Sequence, residues 1–154
     1  IYVLATTGEE SGLLGAQAFA ANPPIPLSSL VAAFNFDSVA IAPTGAPVGF
    51  IGEGRTDLDE LVLQTMTEAG RSLGDRAYAA RFLQRQDAWV LLQKGVPALV
   101  ISSAFGSAIY SGPFFNGAYH SPDDEADAIE LGGAIDDLLL HEELVGRLAI
   151  PSQE

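Results

Sequence analysis

Short apolar runs, each closed by a turn former or a breaker, alternate with segments of helical period along this chain. Residues 1–5, 30–36, 48–51 and 98–101 read as buried strands. Between them, residues 12–21 carry Leu13, Leu14, Ala16, Ala18 and Phe19 at helix-compatible spacing, ended by Asn22, Pro23 and Pro24. Thr56 predicts the cap of a helix over residues 57–73, with Leu58, Leu61, Val62, Thr65, Met66 and Ala69 on one stripe and Gly74 beyond its end; Met66 is most simply core. Asp87 predicts the cap of a short helix over residues 88–94, stopped by Gly95 and Pro97. Asp127 and Glu130 have capping-box spacing ahead of a last helix reaching about residue 148. Strands alternating with helices constrain the chain to an α/β layered fold with a largely parallel sheet, whose sites gather at the carboxyl ends of strands.

Composition narrows the partners. The chain has 154 residues, 48% of them hydrophobic, which is one domain with enough apolar material for a core. A formal charge of −13 argues against nucleic acid or an anionic membrane, both of which need a basic footprint, and favours a cation. No stretch approaches the roughly 20 consecutive apolar residues of a membrane span. Cysteine is absent, so any metal must be held by Asp, Glu and the two histidines, His120 and His141. His141 stands among Asp136, Asp137, Glu142 and Glu143 and is expected on a solvated helix face, not as a ligand.

Carboxylates stand where the predicted strands end. Glu9 and Glu10 follow the first, within Thr6-Thr7-Gly8-Glu9-Glu10-Ser11-Gly12, and Asp37 follows the second within Asn35-Phe36-Asp37-Ser38. His120 lies in a long stretch, residues 102–122, without period. Adjacent carboxylates in extended backbone point apart, so one can hold a metal while the other faces a reacting water. The plainer reading is that acids opening a helix sit well against the positive end of its dipole. Three or four ligands of this oxygen and nitrogen type suit zinc, and a spare carboxylate beside them suits a general base.

Residues 5–15 (Ala-Thr-Thr-Gly-Glu-Glu-Ser-Gly-Leu-Leu-Gly), Asn35-Phe36-Asp37 and Tyr119-His120-Ser121-Pro122-Asp123-Asp124 together resemble the zinc aminopeptidase family that includes bacterial leucyl aminopeptidase, aminopeptidases Y and S, glutaminyl cyclases and glutamate carboxypeptidase. Gly95-Val96-Pro97-Ala98-Leu99 resembles the strand before the family's histidine loop, and the order and spacing match across nearly the whole chain. The resemblance implies a three-layer sandwich with a mostly parallel mixed sheet. It implies Glu9 as general base, Glu10, Asp37 and His120 as metal ligands, and one or two zinc ions acting on a peptide substrate. Arg85-Gln86-Asp87 resembles a segment where the family carries Ser and Asp, so Asp87 either supports the site or caps its helix. Phe105, Tyr110, Phe114, Phe115 and Tyr119 resemble the part that lines the family's substrate pocket; these rings either form an apolar pocket or cover the core.

The resemblance also predicts what is missing. The family's remaining ligands, a histidine and an aspartate that bridges the metals, lie upstream of the Glu pair, so the chain is expected to be the C-terminal portion of a single catalytic domain, lacking the N-terminal strands. Metal affinity should then be weak, and the uncovered edge and core surface should be covered by an oligomeric partner or by another association. The resemblance favours an exported protein. Three functions follow: a zinc exopeptidase, a glutaminyl cyclase with a single zinc, or a non-catalytic relative serving as a binding domain. Retention of Glu9 beside the ligands argues against the last.

Overall fold

A computed structural model describes residues 1–149. It is a small α/β domain: a sheet of three strands, β1 (Ala33–Phe34), β2 (Gly49–Ile51) and β3 (Ala98–Ser102), with helices α1 (Leu14–Ala21), α2 (Asp59–Glu68), α3 (Arg76–Ala80), α4 (Asp87–Leu92), α5 (Ala108–Phe115) and α6 (Gly132–Ala149). The strand order is β1-β3-β2. β1 runs parallel to β3 and β2 antiparallel to it, so the sheet is evenly mixed and not largely parallel.

β3 is the spine because it is buried along its whole length. Its side chains alternate between two cores, as the two-residue period of a strand requires. Ala98 and Val100 join Tyr78, Phe82, Ala88 and Leu91 from the α3–α4 region. Leu99 and Ile101 join Val62 and Met66 of α2 and Leu140 and Leu144 of α6, so Met66 is core as expected. Fully burying a Leu or Met side chain is worth about 1.5 to 3 kcal/mol, which makes these two clusters the main source of stability.

Several sequence expectations fail, each for a physical reason. Residues 1–5 form no strand: Ile1 is 94% and Val3 97% exposed, because an extended apolar run becomes a strand only with a ladder partner, and none of the three strands pairs with it. The run 30–36 contributes two strand residues, which bond to β3 through Ala33 N to Pro97 O and Asn35 N to Leu99 O. α2 stops at Glu68, well short of Leu73, because Gly70 at φ +67° closes it in a Schellman motif: Gly70 N donates to Thr67 O and Arg71 N to Met66 O. Thr56 Oγ1 accepts from Leu58 N in the turn before that helix. α5 occupies part of the stretch read as aperiodic; Ser107 caps it by accepting from Ile109 N, and Pro113 sits inside it. Glu130 accepts from Gly132 N at the start of α6, so the box with Asp127 does not form as spaced.

The largest departure is the rotation of α6. Asp137, Leu140, His141 and Leu144 face inward, while Leu138 and Leu139, between them in sequence, are 63% and 60% exposed. His141 is therefore buried, not solvated. What turns the helix is polar: Asp137 Oδ1 accepts from Arg71 Nη2 at 3.0 Å and from Ser103 Oγ at 2.7 Å, and its Oδ2 accepts from Ser103 N at 2.6 Å. These bonds lock α6 onto the carboxyl end of β3.

Candidate metal and catalytic site

The Glu9–Glu10 turn is shaped by close backbone approach. Gly8 at φ +68° starts it, and the amides of Ser11, Gly12, Leu13 and Leu14 fold back onto the carbonyls of Gly8 and Glu9. Gly15 N donates to Thr7 O, and a Cβ on Gly15 would stand 2.6 Å from both Thr7 N and Thr7 O, so only glycine lets α1 press against this turn. Glu9 is half-buried at the turn and Glu10 projects to the surface.

The fold brings one of the candidate carboxylates, Glu10, against His120. His120 Nε2 lies 2.6 Å from Glu10 Oε1, and the Tyr119 hydroxyl donates to the same oxygen at 3.0 Å. A His–carboxylate contact this short holds a proton between the two atoms, which a metal bound by both would displace. The Tyr119 ring stacks on the His120 imidazole, centroids 3.8 Å apart. Desolvation first, and then the hydrogen bond to Glu10, push the Tyr119 phenol up to about 12, so it remains a neutral donor at working pH.

Glu9 is held above the ordinary carboxylate range, first by desolvation and then by repulsion from Glu10, Asp37 and Asp87, against the opposing pull of Arg85. Three other carboxylates thus act electrostatically on the residue expected to be the base. The described residues nonetheless contain no group of three or more His, Asp or Glu close enough to hold a metal ion. Glu10 and His120 pair, and Asp37 stands apart with Ser38 Oγ donating to its Oδ1 at 3.1 Å.

Backbone strain falls on the same segments. Leu13, Ser38 and His120 are the residues other than glycine with positive φ among the described residues, at 61°, 49° and 58°. One follows the Glu pair, one follows Asp37 and one is the histidine itself. Such conformations cost of the order of 1 to 3 kcal/mol each and concentrate at functional sites.

The aromatic residues divide. Phe105 is core, with Phe82 and Phe115 against it at centroid distances of 4.8 and 6.1 Å. Phe115 in turn meets Tyr119 edge-on at 5.2 Å, so a column of rings runs from the core to His120. Tyr110 lies on α5, 41% exposed. A cleft of about 620 Å³ lies elsewhere, between α1 and α4, lined by Gln17, Trp89 and Gln93 among others and by none of the candidate ligands.

Asp87 is the first residue of α4, and its carboxylate serves the site turn: Thr6 Oγ1 donates to Asp87 Oδ2, while Gln86 occupies the cap position. Gln86, which the sequence showed only as part of Arg85-Gln86-Asp87 and gave no role, is 3% exposed and accepts through Oε1 from Asn35 Nδ2 at 3.0 Å. Its burial, decided by the tertiary structure, carried no signal in the sequence. His141, expected on a solvated face, donates through Nδ1 to Asp137 O at 2.7 Å and packs on Phe36, the residue before Asp37, with centroids 4.5 Å apart.

No curated protein and no solved structure matches this chain. A protein-family model described as peptidase family M28 does match, over residues 1–138, which include Glu9, Glu10, Asp37, Asp87 and His120. With a match of that extent over a chain that joins an acidic turn, a histidine contact and a carboxylate cluster in one α/β domain, the protein belongs to peptidase family M28.

Proposed function

We propose that this chain carries the general base and part of the ligand set of a zinc aminopeptidase. Membership of the M28 family implies a metallopeptidase. The observation that carries the finer reading is the direct contact of Glu10 with His120 beside a Glu9 whose proton affinity is raised by the surrounding carboxylates. Glu10 and His120 would hold one ion and Asp37 would contribute to a second. Bound there, zinc supplies a lowered water pKa and polarisation of the scissile carbonyl. Glu9, with its raised pKa, is suited to take the water's proton and return it to the leaving amine.

Two further points belong to this reading. The three ligands do not complete a site, so further groups are needed from outside this set, in keeping with the chain being part of a larger catalytic domain of the three-layer, zinc-exopeptidase-like kind. The apolar side chains left exposed, Ile1, Val3, Leu131 and Leu138 among them, are then surfaces that further protein covers, in another copy or another chain.

The ligand set being incomplete, this chain is not expected to be active alone, and the test is an assay of the full-length protein with zinc restored, and again with chelator, on aminoacyl anilides and on peptides with N-terminal glutamine. Chelator-sensitive release of the anilide, abolished by Glu9→Gln, is the expected result. Cyclisation of glutamine without anilide hydrolysis would replace the peptidase with a cyclase. Failure on both substrates, with zinc bound, would leave a binding domain.

A further inference from the structure

The two carboxylate-bearing segments have little regular structure to fix them. Residues 1–7 form no helix or strand, and β1 is two residues long. Their side-chain anchors come from one place. Asp87 accepts from Thr6, 81 residues away and three before Glu9, and Gln86 accepts from Asn35, 51 residues away and two before Asp37. Gln86 is extended, at φ −119° and ψ 144°, and Asp87 is the first helical residue, so their side chains leave the backbone in different directions and reach two different segments. α4 behind them packs against α1, β1 and β3, which makes the anchor point rigid. Gln86 is almost wholly buried and Asp87 Oδ1 is buried with no partner, while the bond from Thr6 to Asp87 Oδ2 lies at the exposed end of the bracket.

We propose that Gln86 and Asp87 form a positioning bracket that sets the Glu9–Glu10 turn and Asp37 at a fixed separation. Neither residue needs to touch substrate. The inference rests on the metallopeptidase reading for what the bracket serves, but the bracket itself is a statement about two bonds and two segments. Each bond can be removed singly: Thr6→Val deletes the hydroxyl donor and Gln86→Met deletes the amide acceptor at nearly constant shape, while Thr6→Ser keeps the hydroxyl.

The experiment measures amide hydrogen exchange, the thermal midpoint and the zinc dissociation constant, by calorimetry with zinc alone, on the unmodified chain and these variants. Thr6→Val should speed exchange in residues 8–15, Gln86→Met in residues 35–38, and each should weaken zinc by about tenfold, the worth of one hydrogen bond. Thr6→Ser should restore both readouts, and exchange in α2 and α6 should not change. Exchange that is unaltered in both segments, or that rises uniformly across the domain, overturns the bracket. So does zinc binding that is equally tight in the variants. If exchange responds locally but the unmodified chain takes up no zinc, the bracket stands and the reading that Glu10, Asp37 and His120 hold zinc by themselves falls.

Discussion

Replacing Asp137 by Ala should destabilise the domain more than any single surface change. The carboxylate accepts from Arg71 Nη2, Ser103 Oγ and Ser103 N, and the Arg71 and Asp137 side chains are 10% and 6% exposed. Removal leaves the Arg71 charge without its counter-ion, with Nη2 still donating to Ser103 Oγ and Ala46 O and Nη1 without a partner, and it orphans the buried Ser103 N–H. Breaking a buried pair from one side costs about 3 to 5 kcal/mol, and an unsatisfied buried donor about 1 to 3, but these overlap, so we expect about 4 kcal/mol. At roughly 2 to 4 °C per kcal/mol for a domain of this size, the thermal midpoint should fall by about 8 to 16 °C. Urea unfolding of Asp137→Ala, Arg71→Met and the double variant gives the coupling. The double variant should lose less than the sum of the two, because the stranded charge is gone. A loss under about 1 kcal/mol for Asp137→Ala, or full additivity in the cycle, would refute the claim that polar bonds set the rotation of α6.

Three other outcomes follow from the site and its surroundings. Burial holds the His141 imidazole below its ordinary pKa, against weaker opposing effects of the Asp137 carbonyl and carboxylate, so the unfolded chain binds the proton first. Its contribution to stability is therefore present above about pH 6.5 and is lost as pH falls toward the folded value; urea midpoints at pH 7.5 and 5.5 should differ less in His141→Gln than in the unmodified protein. Glu9 has the opposite sign for a carboxylate, its folded pKa being raised, so its charge opposes folding as pH rises past 4.5. Glu9→Gln should raise the thermal midpoint at pH 7 and leave it unchanged at pH 4, while abolishing any hydrolysis; a lower midpoint at pH 7 would show that the charge is not repelled. The exposed apolar side chains of residues 1–4 and of α6 should drive association, and a monodisperse monomer by light scattering would contradict that.

Of the candidate site, one contact between distant motifs was legible. Glu10 and His120, 110 residues apart, touch as their motifs imply, because each motif carries its own local geometry: a glycine-bounded turn at residues 8–12 and a left-handed histidine at 120. The role of Asp87 was only half legible. Its position at a helix start was readable, but its bond to Thr6 depends on which loop lies opposite. Tyr119 was read from the sequence as one of the rings that either line a pocket or cover the core; its bond to Glu10 and its stacking on His120 depend on the tertiary structure.

Sequence by itself determined the α/β class, the central apolar strand read over residues 98–101, the positions of four helices, α1, α2, α4 and α6, and the acidic character that favours a cation. These follow from short-range rules of period, breakers and charge, which neighbours in the chain enforce. Tertiary structure alone decided which apolar runs became strands, because a ladder needs a partner that residues 1–5 do not find. It also decided which stripe of α6 faces inward. Leu138 and Leu139 are as hydrophobic as Leu140, and the choice fell to Asp137, whose partners Arg71 and Ser103 lie 66 and 34 residues away. A buried charge must be satisfied wherever it lies, and that demand acts across the fold and not along the sequence.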